Sequence, residues 1–268
     1  NLLDADLTGA NLFKATYDVT DLTQSQLDSV SFVYQNGPHN IVLEPYADLS
    51  GINIGYLDLS HLDLTGVNLS GATLSNATLV GTDLTDANLN DITLRHANLS
   101  NADLTGATLH TADLWSSNFT GANLTDVDLS LAQANYTNLS STNLTDATLI
   151  GTNLSGANLS DADLTGVTID PGHSIHRTIF DASNFSNATF DTNFNLHGYN
   201  LPNVDFSGAT LVGADLRGTN LTQANLTDAN LLDADLTGAN LFKATYDVTD
   251  LTQSQLDSVS FVYQNGPH

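Results

Sequence analysis

The chain has 268 residues, no cysteine and a formal net charge of −25, from 30 acidic against 5 basic residues. Such a surface repels phosphate backbones and disfavours direct nucleic-acid binding, while the missing thiols exclude disulfides, thiolate zinc sites and cysteine nucleophiles. No apolar run is long enough to span a bilayer as a helix.

Residues 1–39 read NLLDADLTGANLFKATYDVTDLTQSQLDSVSFVYQNGPH, with an apolar or aromatic residue at every fifth position: Leu2, Leu7, Leu12, Tyr17, Leu22, Leu27 and Phe32. Asn36-Gly37-Pro38 is a turn signal, and residues 35–46 are expected to form a loop. From Ala47 the chain runs ADLSG, INIGY, LDLSH, LDLTG, VNLSG and onward to VTIDP at 167–171. That makes twenty-five consecutive pentapeptides centred from Leu49 to Ile169, and only the one centred on Ala134 lacks a Leu, Ile or Phe at its centre. A second loop, DPGHSIHR, is expected at 170–177. Centres resume at Phe180, Phe185 and Phe190, slip by one residue over 191–195, and run in frame from Leu196 to Phe261. Residues 230–268 then repeat residues 1–39 letter for letter.

Neither the helical nor the strand period yields a five-residue spacing of this length. A chain that turns a corner every five residues, closing a coil with four pentapeptides, does. The central Leu and the small Ala, Val or Thr two positions earlier then point inward, and one large and one small side chain per side fill a narrow core. Leu49, Leu69, Leu89, Leu109, Leu129, Leu149 and Leu164 are expected in that core. Gly, Asn and Asp suit the corners, because they tolerate strained backbone and bond to it locally.

The A(D/N)LXX signature, kept in frame through nearly the whole chain, resembles the pentapeptide-repeat family. The resemblance implies an all-β fold: a right-handed quadrilateral parallel β-helix with four pentapeptides per coil and small loop insertions, continuous over 1–268. Residues twenty apart then stack on one face. An amide ladder is expected at Asn98, Asn118, Asn138 and Asn158, where stacked side chains bond along the axis. Asp63, Asp83 and Asp103 form a carboxylate column, a candidate cation-collecting stripe, against the plainer reading that solvent and salt screen it. N-x-S/T triplets at Asn68, Asn98, Asn118 and Asn138, and also at Asn76, Asn123, Asn153 and Asn225, are glycosylation acceptors in an exported protein. The repeat grammar alone also generates them.

His173 and His176, with Asp170 nearby, form an H-x-x-H pair that reads as exposed loop histidines rather than a metal site. Trp115 falls at an outward position. No nucleophile elbow, P-loop, zincin or EF-hand spacing occurs, so no catalytic residue, cofactor or resident metal is expected and the chain is not read as an enzyme.

No amphipathic helix is evident at either end to cover an open coil, and an uncovered coil invites stacking. With the 39-residue identity, this leads to the expectation of a structural protein: a rod segment of an extracellular or cell-surface filament, built from 229-residue tandem periods stacked end to end. Its partners would be other copies of itself, with divalent cations or glycans as accessories and no membrane span. The alternative comes from the family, which includes acidic dimeric rods that mimic DNA and bind a DNA-binding enzyme such as gyrase.

Overall fold

The structure, a computed structural model, describes residues 43–169, 178–180, 183–190, 194–247 and 251–260. Within it each pentapeptide contributes one bridging residue, and the bridges join residues twenty apart in parallel. Asp48 with Asn68, Asn53 with Thr73, Asp58 with Thr78 and Asp63 with Asp83 begin four columns that continue coil upon coil. The coil is therefore four-sided; its first to fourth faces are those of Leu49, Ile54, Leu59 and Leu64. Because the chain must turn every five residues, extended backbone is cut to about one residue per side. Among the described residues only β1 (Thr168–Ile169) and β2 (Thr189–Phe190) reach two residues, and they pair in parallel.

The corners follow from local chemistry. Ala72 N–H donates to Leu69 O at 3.0 Å, closing a four-residue turn. The third residue of such a turn takes a left-handed conformation, as at Gly71 (φ +66), Asn76 (φ +61) and Asp86 (φ +56). That backbone suits Gly without penalty and Asn or Asp at small cost. The bridging Asp or Asn also helps fix the turn: Asp63 Oδ1 accepts from Thr65 N at 3.1 Å, and Asn118 Oδ1 from Thr120 N at 3.1 Å. The second letter of the repeat is thus a turn-former as well as a surface residue.

Between coils, the N–H of each centre donates upward and the N–H of each bridging residue donates downward: Leu69 to Asn88 O (2.8 Å), Asn68 to Ala47 O (2.9 Å). Inside, Leu69, Leu89, Leu109, Leu129, Leu149 and Leu164 are at most 2% exposed, and Leu49, in the first described coil, 8%. Each such Leu contributes about 1.5–3 kcal/mol of transfer free energy. Where Thr replaces the small inward Ala, its hydroxyl reaches a carbonyl, as Thr82 does to Leu59 O (2.9 Å) and Thr137 to Leu114 O (2.8 Å). No buried side-chain nitrogen or oxygen among the described residues lacks a partner.

Past Asn158 the register lengthens. Asn158 bridges Ile179, Thr168 pairs with Thr189, and Thr189 bridges Thr210, each a step of 21 residues. The core of these coils is aromatic. Phe185 lies 5.4 Å from Phe180, 5.4 Å from Phe190 and 5.3 Å from Phe206 between ring centroids, and Phe190 lies 5.0 Å from Phe194. Phe180, Phe185, Phe190 and Phe206 occupy the place that Leu holds elsewhere, and Phe194 the place of the small inward residue before Leu196.

The C-terminal end corrects the sequence reading. Leu251 and Leu256, expected as pentapeptide centres, instead flank and occupy a short helix, α1 (Gln253–Ser258). Thr252 and Gln255 make a reciprocal capping box at its start, the T-x-x-Q signature of a helix N-terminus. Leu251 is buried, and Leu256 and Val259 pack on the core. Gln255 Nε2 donates to Leu231 O at 2.9 Å and Ala234 O at 3.0 Å. Gly238 N donates to Ser258 O and Ser260 N to Ala239 O, both at 2.8 Å. The last described coil is thus covered by α1.

Candidate functional site

The four faces are flat, and a shallow open groove between α1 and the last coil is lined by Leu232, Asp233, Thr237, Thr252, Gln255 and Ser258. Chemistry on this molecule is therefore a matter of which side chains each face and edge displays.

On the third face the amide ladder forms in part. Asn118 Nδ2 donates to Asn98 Oδ1 at 3.1 Å and Asn158 Nδ2 to Asn138 Oδ1 at 3.4 Å. Between these pairs the ladder sidesteps, because Asn138 Nδ2 turns to Thr120 Oγ1 at 2.8 Å. The acceptor triplets share these commitments: Asn68 Nδ2 is held by Asp48 Oδ1 at 2.9 Å.

On the fourth face Asp63, Asp83 and Asp103 stack as a column, with Asp63 bridged to Asp83 and Asp83 to Asp103. Each spends Oδ1 on the N–H of the Thr two residues on, and Asp103 also accepts Asn123 Nδ2 at 3.2 Å. Among the described residues no three His, Asp or Glu side chains gather into a set that could hold a metal ion. Asp170, His173 and His176 lie outside the described residues, as do 35–42 of the first expected loop and 1–39 of the repeated segment.

The columns reveal a concentration of carboxylates that composition hides, although Asp113, Asp215 and Asp235 stand on the second face. The fourth face carries Asp63, Asp83, Asp103, Asp163 and Asp205. The corner beyond it, between fourth and first faces, adds Asp86, Asp126, Asp146 and Asp228, all exposed. The diagonally opposite corner, between second and third faces, carries Tyr56, Arg95, His96, Trp115 and Tyr136, all exposed. His96 and Trp115 meet edge to face at 4.9 Å, and Trp115 and Tyr136 at 6.1 Å. Arg95 Nε bonds Asp113 Oδ2 at 2.6 Å. Sequence reasoning singled out Trp115 but missed this row, whose signal was the 19- and 21-residue spacing of His96, Trp115 and Tyr136.

Farther along, Arg217 Nη2 and Nε reach Asp215 at 2.6 and 2.7 Å, and this hydrogen bonding holds the Asp215 carboxyl below its ordinary range. Asp58 is likewise lowered, by the Ser60 hydroxyl that donates to it at 2.6 Å.

The profile of pentapeptide repeats matches the chain in eight copies, over residues 47–91, 87–126, 128–169 and 205–242. The chain belongs to the pentapeptide repeat family. As a member it is a structural or binding protein and not an enzyme. No curated protein matches it. Among solved pentapeptide repeat structures, HetL of the cyanobacterium Nostoc, involved in heterocyst differentiation regulation, is 31% identical. That match covers 72% of this chain and 86% of HetL, with a TM-score of 0.40. QnrB1, a plasmid-mediated fluoroquinolone resistance protein, is 19% identical over 81% of this chain and 92% of its own, with a TM-score of 0.44. A family member from the Arabidopsis thaliana thylakoid lumen is 29% identical over 50% and 75% respectively, with a TM-score of 0.30. No helix among the described residues is long and apolar enough to cross a membrane.

Proposed function

We propose that this chain is a rigid, right-handed acidic rod that presents its charged side to a cationic partner protein, as a stand-in for a polyanion such as DNA. The observation that carries the reading is the run of Asp63, Asp83, Asp103, Asp163 and Asp205 on the fourth face beside Asp86, Asp126, Asp146 and Asp228 at its adjoining corner. Coils rise by about 4.8 Å, so these carboxylates form an extended, regularly spaced anionic strip on a scaffold that cannot flex away from it. A partner built to neutralise a row of phosphates would find a similar field here.

The test is inhibition of a DNA-binding enzyme, with gyrase supercoiling as the first assay. Inhibition relieved by excess DNA and by salt, and weakened in the variant Asp83→Asn, Asp86→Asn, Asp103→Asn, Asp126→Asn, supports the reading. A rod that leaves supercoiling untouched at about 10 µM, a thousandfold above a tight Kd, removes gyrase as the partner.

A second reading, an extracellular or surface stalk, is favoured by one observation: the identity of 1–39 with 230–268. Within the described residues α1 lies where a smooth fibre would place further pentapeptides, with Gln255 bonded to Leu231 O and Ala234 O. A stalk would then be a chain of separately closed rods. Micrographs of a parent polypeptide would show beads at regular intervals, and a smooth unbroken fibre would reject this form.

A further inference from the structure

On a chain of net charge −25, one stretch of surface carries no charge at all. It is the second face with its two corners, over residues 130–136 and 150–156; among the described residues the charges beside it include Asp128, whose Oδ1 accepts from Ser130 N at 2.9 Å, and, one coil before, Asp113 with its ion-pair partner Arg95. The same stretch displays large apolar groups: Leu131 at 49% exposure, Tyr136 at 59% and Ile150 at 42%, with Trp115 at 39% one coil before.

These side chains are held in place. A Cβ on Gly156 would lie 2.7 Å from the Tyr136 ring, and one on Gly151 would lie 2.5 Å from Leu131 Cδ2. Tyr136 and Leu131 therefore lie along the rod in the space that glycine leaves in the next coil. Trp115 is braced between His96 and Tyr136. Such a patch is preorganised, and Trp, Tyr and Arg are the residue types that dominate contact energetics.

We propose that this face is the contact between two copies of the chain, packed side by side about a two-fold axis. Charge selects the occupant. A basic partner is drawn to the opposite, carboxylate-lined side, whereas two copies repel wherever acidic surfaces meet. Only the uncharged stretch lets them approach, and a two-fold contact offers each copy a patch as apolar and neutral as its own. The resulting pair directs both acidic strips outward. The contact is independent of the partner-binding reading above and uses the opposite edge.

The experiment is sedimentation equilibrium on the full chain, paired with emission of Trp115, the one tryptophan in the sequence. The expected result is a mass twice 28.3 kDa at high protein concentration, with Trp115 emission moving to the blue as the pair forms. Raising salt from about 50 to about 500 mM should tighten the pair by roughly fivefold or more, because it screens like-charge repulsion and leaves apolar contact intact. The variant Trp115→Ser, Tyr136→Ser should be monomeric and still melt in one cooperative transition, since neither side chain belongs to the buried core. Leu232→Ser, at an exposed apolar residue elsewhere, should pair like wild type. The proposal is overturned by a chain that stays monomeric at all concentrations, by a pair that survives the double substitution, or by a pair that salt dissociates.

Discussion

The side-chain amide of Gln255 stands 3.0 Å from the carbonyl oxygen of Ala234. One coil earlier the equivalent carbonyl, Ala214 O, receives the backbone N–H of Asp235 at 2.9 Å. Gln255 therefore supplies from its side chain the donor that another coil would supply from its backbone. Its own N–H goes to Thr252 Oγ1 at 3.2 Å, which starts α1. One residue ends the coil and begins the cap.

Replacing Gln255 by Ala should cost about 1–2 kcal/mol, because the carbonyls of Leu231 and Ala234 lose a shared donor at a part-buried site. Gln255→Glu should cost more, since a carboxylate cannot donate and would face those oxygens. Urea unfolding checks both values. Sedimentation of Gln255→Ala should also reveal assemblies larger than the wild type forms, through the exposed coil end.

Leu104 is fully buried, and Leu104→Ala should cost about 3 kcal/mol through the cavity it leaves. Thr137→Val should be within about 0.5 kcal/mol of wild type, although it deletes a buried hydrogen bond, because replacing a polar group by an apolar one of the same shape is cheap when no partner is orphaned. Its acceptor, Leu114 O, keeps Ser117 N at 3.0 Å and Ser117 Oγ at 2.6 Å. Unfolding in urea separates the two cases.

Gly71 has φ +66 and open space where a Cβ would stand. Gly71→Asn should lie within about 0.5 kcal/mol of wild type, since Asn76 and Asn101 hold the same conformation at φ +61 and +57. Gly71→Val should cost about 1–2 kcal/mol, because a β-branched residue clashes in the left-handed region. Equal effects in thermal melts would show that backbone conformation does not govern this corner.

The Asp215 carboxyl is depressed by its hydrogen bonds from Arg217. A depressed carboxylate stabilises the fold above its unfolded pKa, about 3.9, and the contribution fades as pH falls through the folded value. Asp215→Asn should therefore melt slightly below wild type at pH 7, and the gap should close progressively as pH falls below about 3.9. Both proteins lose self-repulsion alike on acidification, so their difference isolates the pair. A gap that stays constant with pH would assign the effect to packing.

Asn68, Asn118 and Asn138 have their amide nitrogens committed to Asp48, Asn98 and Thr120. A glycan would have to displace these bonds on a regular face, whereas acceptors normally lie in loops. Expression in a glycosylating secretory host should give an intact mass equal to the bare 28.3 kDa chain. A ladder of added hexose masses would reject this.

The sequence by itself determined the coil. A five-residue period with a turn-forming Asp or Asn before each central Leu leaves few alternatives, because every residue's role is repeated at every corner and local chemistry suffices to specify it. It also placed Asn98 beside Asn118 and Asp63 beside Asp83, since stacking at twenty residues is arithmetic once the coil is four-sided. What it could not decide were the departures. Leu251 and Leu256 match the frame as well as any true centre, yet the T-x-x-Q box of Thr252 and Gln255 forms a helix there. Locally the frame and the box compete, and the tertiary contacts of Gln255 with Leu231 and Ala234 belong to the helix. The sorting of the edges has the same origin. Asp86 and Asp126 on one edge, and Trp115 and Tyr136 on the other, are interleaved in the sequence. Only closing the coil sorts them onto opposite edges.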